Sequence, residues 1–120
     1  MYEYKAELVR VVDGDTVDLM VDLGFSVKIK ERFRLEGIDA PESRTRDLEE
    51  KARGLAATEH LKLLIGFVPD GELKVQTEKD TKGKYGRYIG TLFGEHSSFP
   101  GRININDTMV VDGHAIRKSY

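Results

Sequence analysis

Apolar and polar positions alternate along the N-terminal third of the chain. From Thr16 to Leu23, Val17, Leu19, Val21 and Leu23 are interleaved with Thr16, Asp18, Met20 and Asp22. A period of two predicts a half-buried strand. "DLGFS" then turns the chain at Gly24. The alternation resumes from Phe25 to Leu35, with Phe25, Val27, Ile29, Phe33 and Leu35 on an inward face. Ser26, Lys28, Lys30, Arg32 and Arg34 fall on the other face, and only Glu31 interrupts the apolar one. "KAELVRVV", ahead of Asp13, predicts a third strand, so the three form an antiparallel meander.

The period then changes. Leu48, Ala52, Leu55, Ala56 and Leu63 recur at helical spacing and predict one apolar helix face. Asp47 reads as the N-cap, and Glu49 and Glu50 suit the positive end of the helix dipole. Gly54 interrupts this helix at a propensity cost of about 1 kcal/mol relative to Ala. Gly66, followed by "VPDG", stops it. Two more strands follow, "ELKVQTE" from Glu72 and "YIGTLF" from Tyr88, separated by the polar loop "KDTKGKYGR". Beyond the loop "GEHSSFPGR", Asn106 or Asp107 is expected to cap a short helix through Met109 and Val111, with Gly113 as its stop. Five strands, with a helix between the third and fourth and a short C-terminal helix, predict a mainly β, α+β fold. The expected architecture is a five-stranded Greek-key OB barrel filling one domain over residues 1–120.

Composition narrows the options. At 120 residues, 39% hydrophobic and 33% charged, the chain is globular material with one modest core. A net charge of −2 excludes a broad nonspecific electrostatic footprint, yet a few arginines can still reach single phosphates. The absence of cysteine removes disulfides and thiolate metal sites. No stretch approaches the ~20 apolar residues of a membrane span, and "MYEYKAELVR" lacks a signal-peptide core. The expected location is cytoplasmic as the sequence stands, or outside the cell if a leader has been removed, with no membrane partner.

Acidic residues gather twice at strand ends. "VVDGDT" places Asp13 and Asp15 around Gly14, and "GIDAPE" places Asp39 and Glu42 around Pro41. Each alone reads as an ordinary turn. If the two loops converge, several carboxylates meet, and such a group suits a hard cation, Ca²⁺ or Mg²⁺. Arg34 lies five residues before Asp39, and "KYGR" supplies Lys84, Tyr85 and Arg87. A guanidinium presents a planar fork that matches two phosphate oxygens. Carboxylates, a divalent cation and two arginines together fit phosphodiester hydrolysis.

The segments "VVDGDTVDL", "FRLEGIDAPE", "KYGR" and "INDTMVVDGHA" resemble, in order and spacing, landmarks of the staphylococcal (micrococcal) nuclease family, the thermonucleases. The resemblance runs from about Lys5 to Ala115 and agrees with the OB barrel expected above. It implies a Ca²⁺-dependent, sugar-nonspecific nuclease that cuts DNA and RNA, preferably single-stranded or unpaired, to leave 3′-phosphate ends. By that resemblance Asp15, Asp39 and the Ala40 carbonyl are metal ligands, and Asp13 supports the metal site without touching the ion. Glu42 serves the attacking water, Arg34 and Arg87 grip the scissile phosphate, and Lys84 and Tyr85 hold the neighbouring phosphate. The expected assembly is a monomer. Three departures stand out: Ala40 where the best-known member has Thr, Gly83 in place of an Asp, and a longer loop over 94–102.

Two other readings compete. A noncatalytic nuclease-like module, binding nucleic acid or protein, keeps the barrel but loses carboxylates or arginines. Here Asp15, Arg34, Asp39, Glu42 and Arg87 are all present. A plain OB single-strand binder needs aromatic platforms, and aromatics are only 8% of the chain, several of them on inward positions. His60, His96 and His114 read as structural or surface residues. Lys28, Lys30 and Arg32 form a basic strand face able to guide a polyanion.

Overall fold

In a computed structural model of the chain, which describes residues 2–78, 86–95 and 101–118, the N-terminal meander consists of β1 (Tyr2–Asp13), β2 (Thr16–Asp22) and β3 (Lys28–Leu35). A two-residue strand, β4 (Ile38–Asp39), precedes helix α1 (Leu48–Gly66). Then come β5 (Leu73–Thr77), β6 (Tyr88–Glu95), β7 (Arg102–Asn104), helix α2 (Ile105–Val111) and β8 (Ile116–Arg117).

Strand β1 is long enough to serve two neighbours. Its first half pairs with β5, from Tyr2↔Thr77 to Lys5↔Lys74, and its second half pairs with β2, from Ala6↔Val21 to Asp13↔Thr16. Strands β2 and β3 pair antiparallel, as do β5 and β6. The parallel pairing of β3 with β6 over Phe33–Leu35 closes the circle. The result is a five-stranded OB-type barrel of β1, β2, β3, β5 and β6, as the periodicity predicts, with α1 between its third and fourth strands. Inside it lie Val17, Leu19, Val21, Phe33, Leu35, Val75 and Leu92. Strand β7 extends the sheet beside β6, and β4 with β8 forms a separate small ribbon.

The inward face expected from Phe25 onward begins later than the alternation suggests. Gly24, Phe25 and Ser26 all have positive φ, at 82°, 54° and 63°. Val27 N donates to Gly24 O and Leu23 N to Val27 O, so these residues form the hairpin turn and the strand starts at Lys28. Phe25 is fully exposed, and Leu23, Val27 and Ile29 are also outside the core.

The α1 boundaries match the sequence expectation. Asp47 caps the helix by accepting from Glu49 N and Glu50 N. Its buried face does not match. Leu48, Leu55 and Leu63 are exposed, while Gly54, Ala57, Thr58, Leu61 and Ile65 face the barrel. Small residues win because the helix approaches backbone directly. A Cβ on Gly54 would sit 2.4 Å from Glu42 O, and one on Gly14 would sit 2.7 Å from the Ala57 Cβ.

The cap of α2 also differs. Asn104 accepts from Asp107 N as its N-cap. Asn106 is buried and bridges barrel backbone: its Nδ2 donates to Glu36 O and Gly90 O, and its Oδ1 accepts from Leu92 N. A buried amide with three satisfied partners is worth more there than at a solvated helix end.

Candidate active site

The two acidic loops meet. The β1–β2 turn ends at Asp15, and Leu35 N donates to Asp15 O, which places this turn against the end of β3. Beyond β3, Gly37 at φ 77° turns the chain into β4, which delivers Asp39. Ala40 N then donates to Asp15 Oδ2 at 2.9 Å, joining the two carboxylate-bearing segments directly. Gly14 makes this close approach possible, because a Cβ there would meet Ala40 Cβ at 2.9 Å as well as Ala57.

Arg34 is the hub of this cluster. It is 8% exposed. Its Nη1 donates to Ile38 O at 2.9 Å and Leu35 O at 3.1 Å, and reaches Asp15 O at 3.4 Å. Its Nη2 donates to Asp39 Oδ1 at 3.1 Å and lies 3.4 Å from Asp15 Oδ2. Strand alternation sets Arg34 opposite Phe33 and Leu35, and the barrel end then closes around it. The charge is tolerated there because carboxylates and carbonyls surround it.

Asp13, Asp39 and Glu42 are held differently. Ser43 Oγ donates to Asp13 Oδ1, and Thr16 Oγ1 donates to Asp15 Oδ1. Lys118 Nζ comes within 3.8 Å of Asp39 Oδ2. Glu42 is exposed, and its side chain makes no hydrogen bond or ion pair among the described residues. Helix capping is done by Asp47 and pairing with Arg34 by Asp39 and Asp15, so neither structural duty falls to Glu42. Arg87 precedes β6, whose Tyr88 and Ile89 pair with Phe33 and Arg34, so its backbone adjoins the strand carrying Arg34. Lys84, Tyr85 and His96 lie outside the described residues.

Among the described residues, no three His, Asp or Glu side chains form a metal-binding group. Asp15, Asp39 and the Ala40 carbonyl offer only two carboxylates and one backbone oxygen. All are hard oxygen donors, and a carboxylate has about four lone-pair sites. Asp15 accepts from Thr16 and Ala40 and lies against Arg34, and Asp39 accepts from Arg34, which leaves lone pairs on both carboxylates, so the donor set fits a Ca²⁺.

Sequence reasoning did not single out Thr16, Ser43, Gly14 or Lys118. Thr16 directly follows Asp15, the carboxylate it donates to, and so carried a local signal, whereas the partner of Ser43 lies 30 residues away at Asp13. The basic strand face is largely neutralised in place. Arg32 Nε and Nη2 donate to the two oxygens of Asp18 at 2.7 and 3.1 Å, and Lys28 pairs with Glu7. The hydrogen bond from Arg32 holds the Asp18 carboxyl below its ordinary value, although burial pushes the other way. His60 and His114 stack at 4.3 Å, and His60 Nε2 lies 2.7 Å from Asp112 Oδ2, in keeping with a structural role.

Comparison with known proteins assigns the fold its family. The family described as staphylococcal nuclease homologue matches residues 32–120. The chain belongs to this family. It is 39% identical over 116 residues to Protein ParB of Escherichia coli, covering 94% of this chain and 56% of that protein. Micrococcal nuclease of Shigella flexneri is 32% identical over 122 residues, covering 98% of this chain and 60% of that protein. Endonuclease YhcR of Bacillus subtilis is 30% identical over 118 residues, covering 94% of this chain but 9% of that protein. The chain therefore spans at most about three-fifths of these curated relatives.

Proposed function

We propose that this nuclease-family chain is a Ca²⁺-dependent phosphodiester hydrolase. Its substrates are DNA and RNA, single-stranded or unpaired, and cleavage on the 5′-oxygen side leaves 3′-phosphate ends. The observation that carries the reading is the convergence of Asp15, Ala40 and Asp39 around Arg34, beside a Glu42 with no structural partner among the described residues. Family membership and two relatives named as nucleases support it.

Asp15, Asp39 and the Ala40 carbonyl would hold Ca²⁺, with Asp13 and Ser43 bracing the loops behind them. When bound, the cation supplies charge neutralisation and polarises the phosphate. Glu42 takes a proton from the water that attacks phosphorus. As the new P–O bond forms, the P–O5′ bond breaks, and the 5′-oxygen leaves as an alcohol protonated from solvent. Arg34 and Arg87 stabilise the negative charge on the nonbridging oxygens. Arg34 also fixes Asp39 and Asp15, so it acts on both the substrate and the acidic cluster.

The test is incubation with denatured DNA in Ca²⁺, in Zn²⁺ and in excess chelator, followed by end-group analysis. Cleavage to 3′-phosphate ends is expected in Ca²⁺ alone. Undiminished cleavage in chelator overturns the reading, and binding without cleavage in Ca²⁺ identifies a noncatalytic module.

A further inference from the structure

A groove of about 550 Å³ adjoins the acidic cluster on its Glu42 side. Asp39 and Glu42 line it from the acidic loop, Glu50, Arg53 and Ala56 from α1, and His114 and Ile116 from the segment after α2. Its size falls within the roughly 300–1,000 Å³ of small-molecule sites. Neither Arg34 nor Arg87 lines it. A phosphodiester under attack lies between two nucleotides, so an enzyme that cuts it must accommodate the chain on both sides of Glu42. The groove, bordered by Asp39 and Glu42, offers room for one of these sides.

Among the described residues three carboxylates, Asp39, Glu42 and Glu50, line the groove, so a phosphate could be held only at its one cationic position. Arg53 is the one lysine or arginine lining it among the described residues, and Arg53 makes no hydrogen bond or ion pair among them. An unpaired guanidinium facing a groove that also holds Glu50 is placed to receive a phosphate. Ile116 is 67% exposed yet sits opposite Asp39 in the β4–β8 ribbon, which fixes an apolar surface beside the acidic loop. The His114 ring is held by its stack on His60, which is itself tied to Asp112. An immobilised ring and an exposed aliphatic side chain form a surface against which any base can lie, without sequence preference.

We infer that this groove is a nucleotide subsite next to the reacting phosphate. Arg53 holds a phosphate of single-stranded DNA or RNA there, and Ile116 and His114 contact the base. The inference rests on the nuclease reading and extends it to one side of the substrate.

Cleavage of oligothymidylates of increasing length tests it, with Arg53→Ala compared against the wild type. The ratio of kcat/KM for long over short substrates is expected to fall about tenfold in Arg53→Ala. The control Lys62→Ala, whose lysine pairs with Glu59 and does not line the groove, should keep the wild-type ratio. Independently of activity, an NMR titration of the wild-type protein with a short oligothymidylate in chelator should shift the amides of residues 53–56 and 113–116. An unchanged ratio in Arg53→Ala overturns the subsite, as do amide shifts confined elsewhere or absent. A wild-type protein that cleaves nothing yet shows those shifts retains the subsite and loses the nuclease reading. One that cleaves, with the ratio unmoved by Arg53→Ala, does the reverse.

Discussion

Gly54→Ala separates helix propensity from packing in one substitution. Propensity alone predicts stabilisation by about 1 kcal/mol, because Ala is the better helix residue. The structure predicts the opposite. A Cβ at position 54 would lie 2.4 Å from Glu42 O, 2.5 Å from Glu42 C and 2.6 Å from Ser43 N. All three are backbone atoms, so no side-chain rotation relieves them. Reaching ordinary contact requires the Glu42–Ser43 segment and α1 to separate by about 1 Å. Overpacking of this kind costs about 1–3 kcal/mol. Set against the propensity gain, the net destabilisation is about 1 kcal/mol, or about 4 °C in Tm for a chain of this size. The larger effect falls on activity, because the displaced residue is Glu42. A misplacement of about 1 Å can lower turnover on the order of 10²-fold. Thermal unfolding by circular dichroism and turnover on denatured DNA, both in Ca²⁺, provide the readouts. If the Gly54→Ala variant melted higher, the close contact would be refuted, and if it melted lower yet cleaved at the wild-type rate, the role given to Glu42 would be refuted.

The other predictions concern single groups. Arg34→Ala should lower turnover by on the order of 10²-fold or more and also destabilise the fold by about 3–5 kcal/mol, since it strands buried carboxylates and carbonyls. Arg34→Lys should rescue neither fully, a point charge being unable to reproduce the fork; near-normal kcat and Tm in that variant would contradict this. Arg87→Ala should lower turnover on the order of 10²-fold, measured on denatured DNA, and normal turnover would remove it from the phosphate clamp. Glu42→Gln should leave Ca²⁺ affinity and Tm nearly unchanged while turnover falls steeply; calorimetry, melting and kinetics on one preparation check this, and early melting with normal turnover would overturn it. Asp18, with its pKa lowered by Arg32, contributes stability that is present above the ordinary carboxylate value of 3.8 and is lost as pH falls below it. Asp18→Asn should therefore flatten the acid limb of the Tm–pH curve, and an unaltered limb would show that the pair contributes nothing.

What the sequence made legible was local or periodic. Strand β2 could be read because Val17, Leu19 and Val21 alternate with polar neighbours, and the start of α1 because Asp47 caps through its own next residues. The barrel followed from the order of such elements. The buried face of α1 was not legible, since Gly54 and Ala57 are chosen by the backbone they touch, which lies far away in sequence. The hairpin tip misled for the reverse reason. Phe25 keeps the alternating phase of the strand but stands in a left-handed turn, where the phase no longer says which way a side chain points. Asn106 looked like a cap because Asn is a good one, whereas three barrel backbone groups claim its amide. Within the candidate site, the residue types were legible and the hub was not. Nothing in "FRLEGIDAPE" says that Arg34 is buried and shared among Asp15, Asp39 and the Ile38 carbonyl.

The same small contacts that hid the helix face join stability to the site. Asp15 and Asp39 reach one another only because Gly14 lets the β1–β2 turn lie against Ala40 and Ala57, and Gly54 lets the Glu42 segment lie against the same helix. Helix α1 is thus the platform on which both acidic loops rest, each through a position that has no room for a methyl group. A loop is usually mobile, and two loops carrying like charges would drift apart. Here Arg34 supplies the attraction and the helix supplies the rigid wall, so the carboxylates are held together before any substrate arrives. That arrangement places the sensitivity of the site in residues with no chemistry of their own. Substitutions that move α1 relative to the barrel should damage the site even where every acidic and basic side chain is intact.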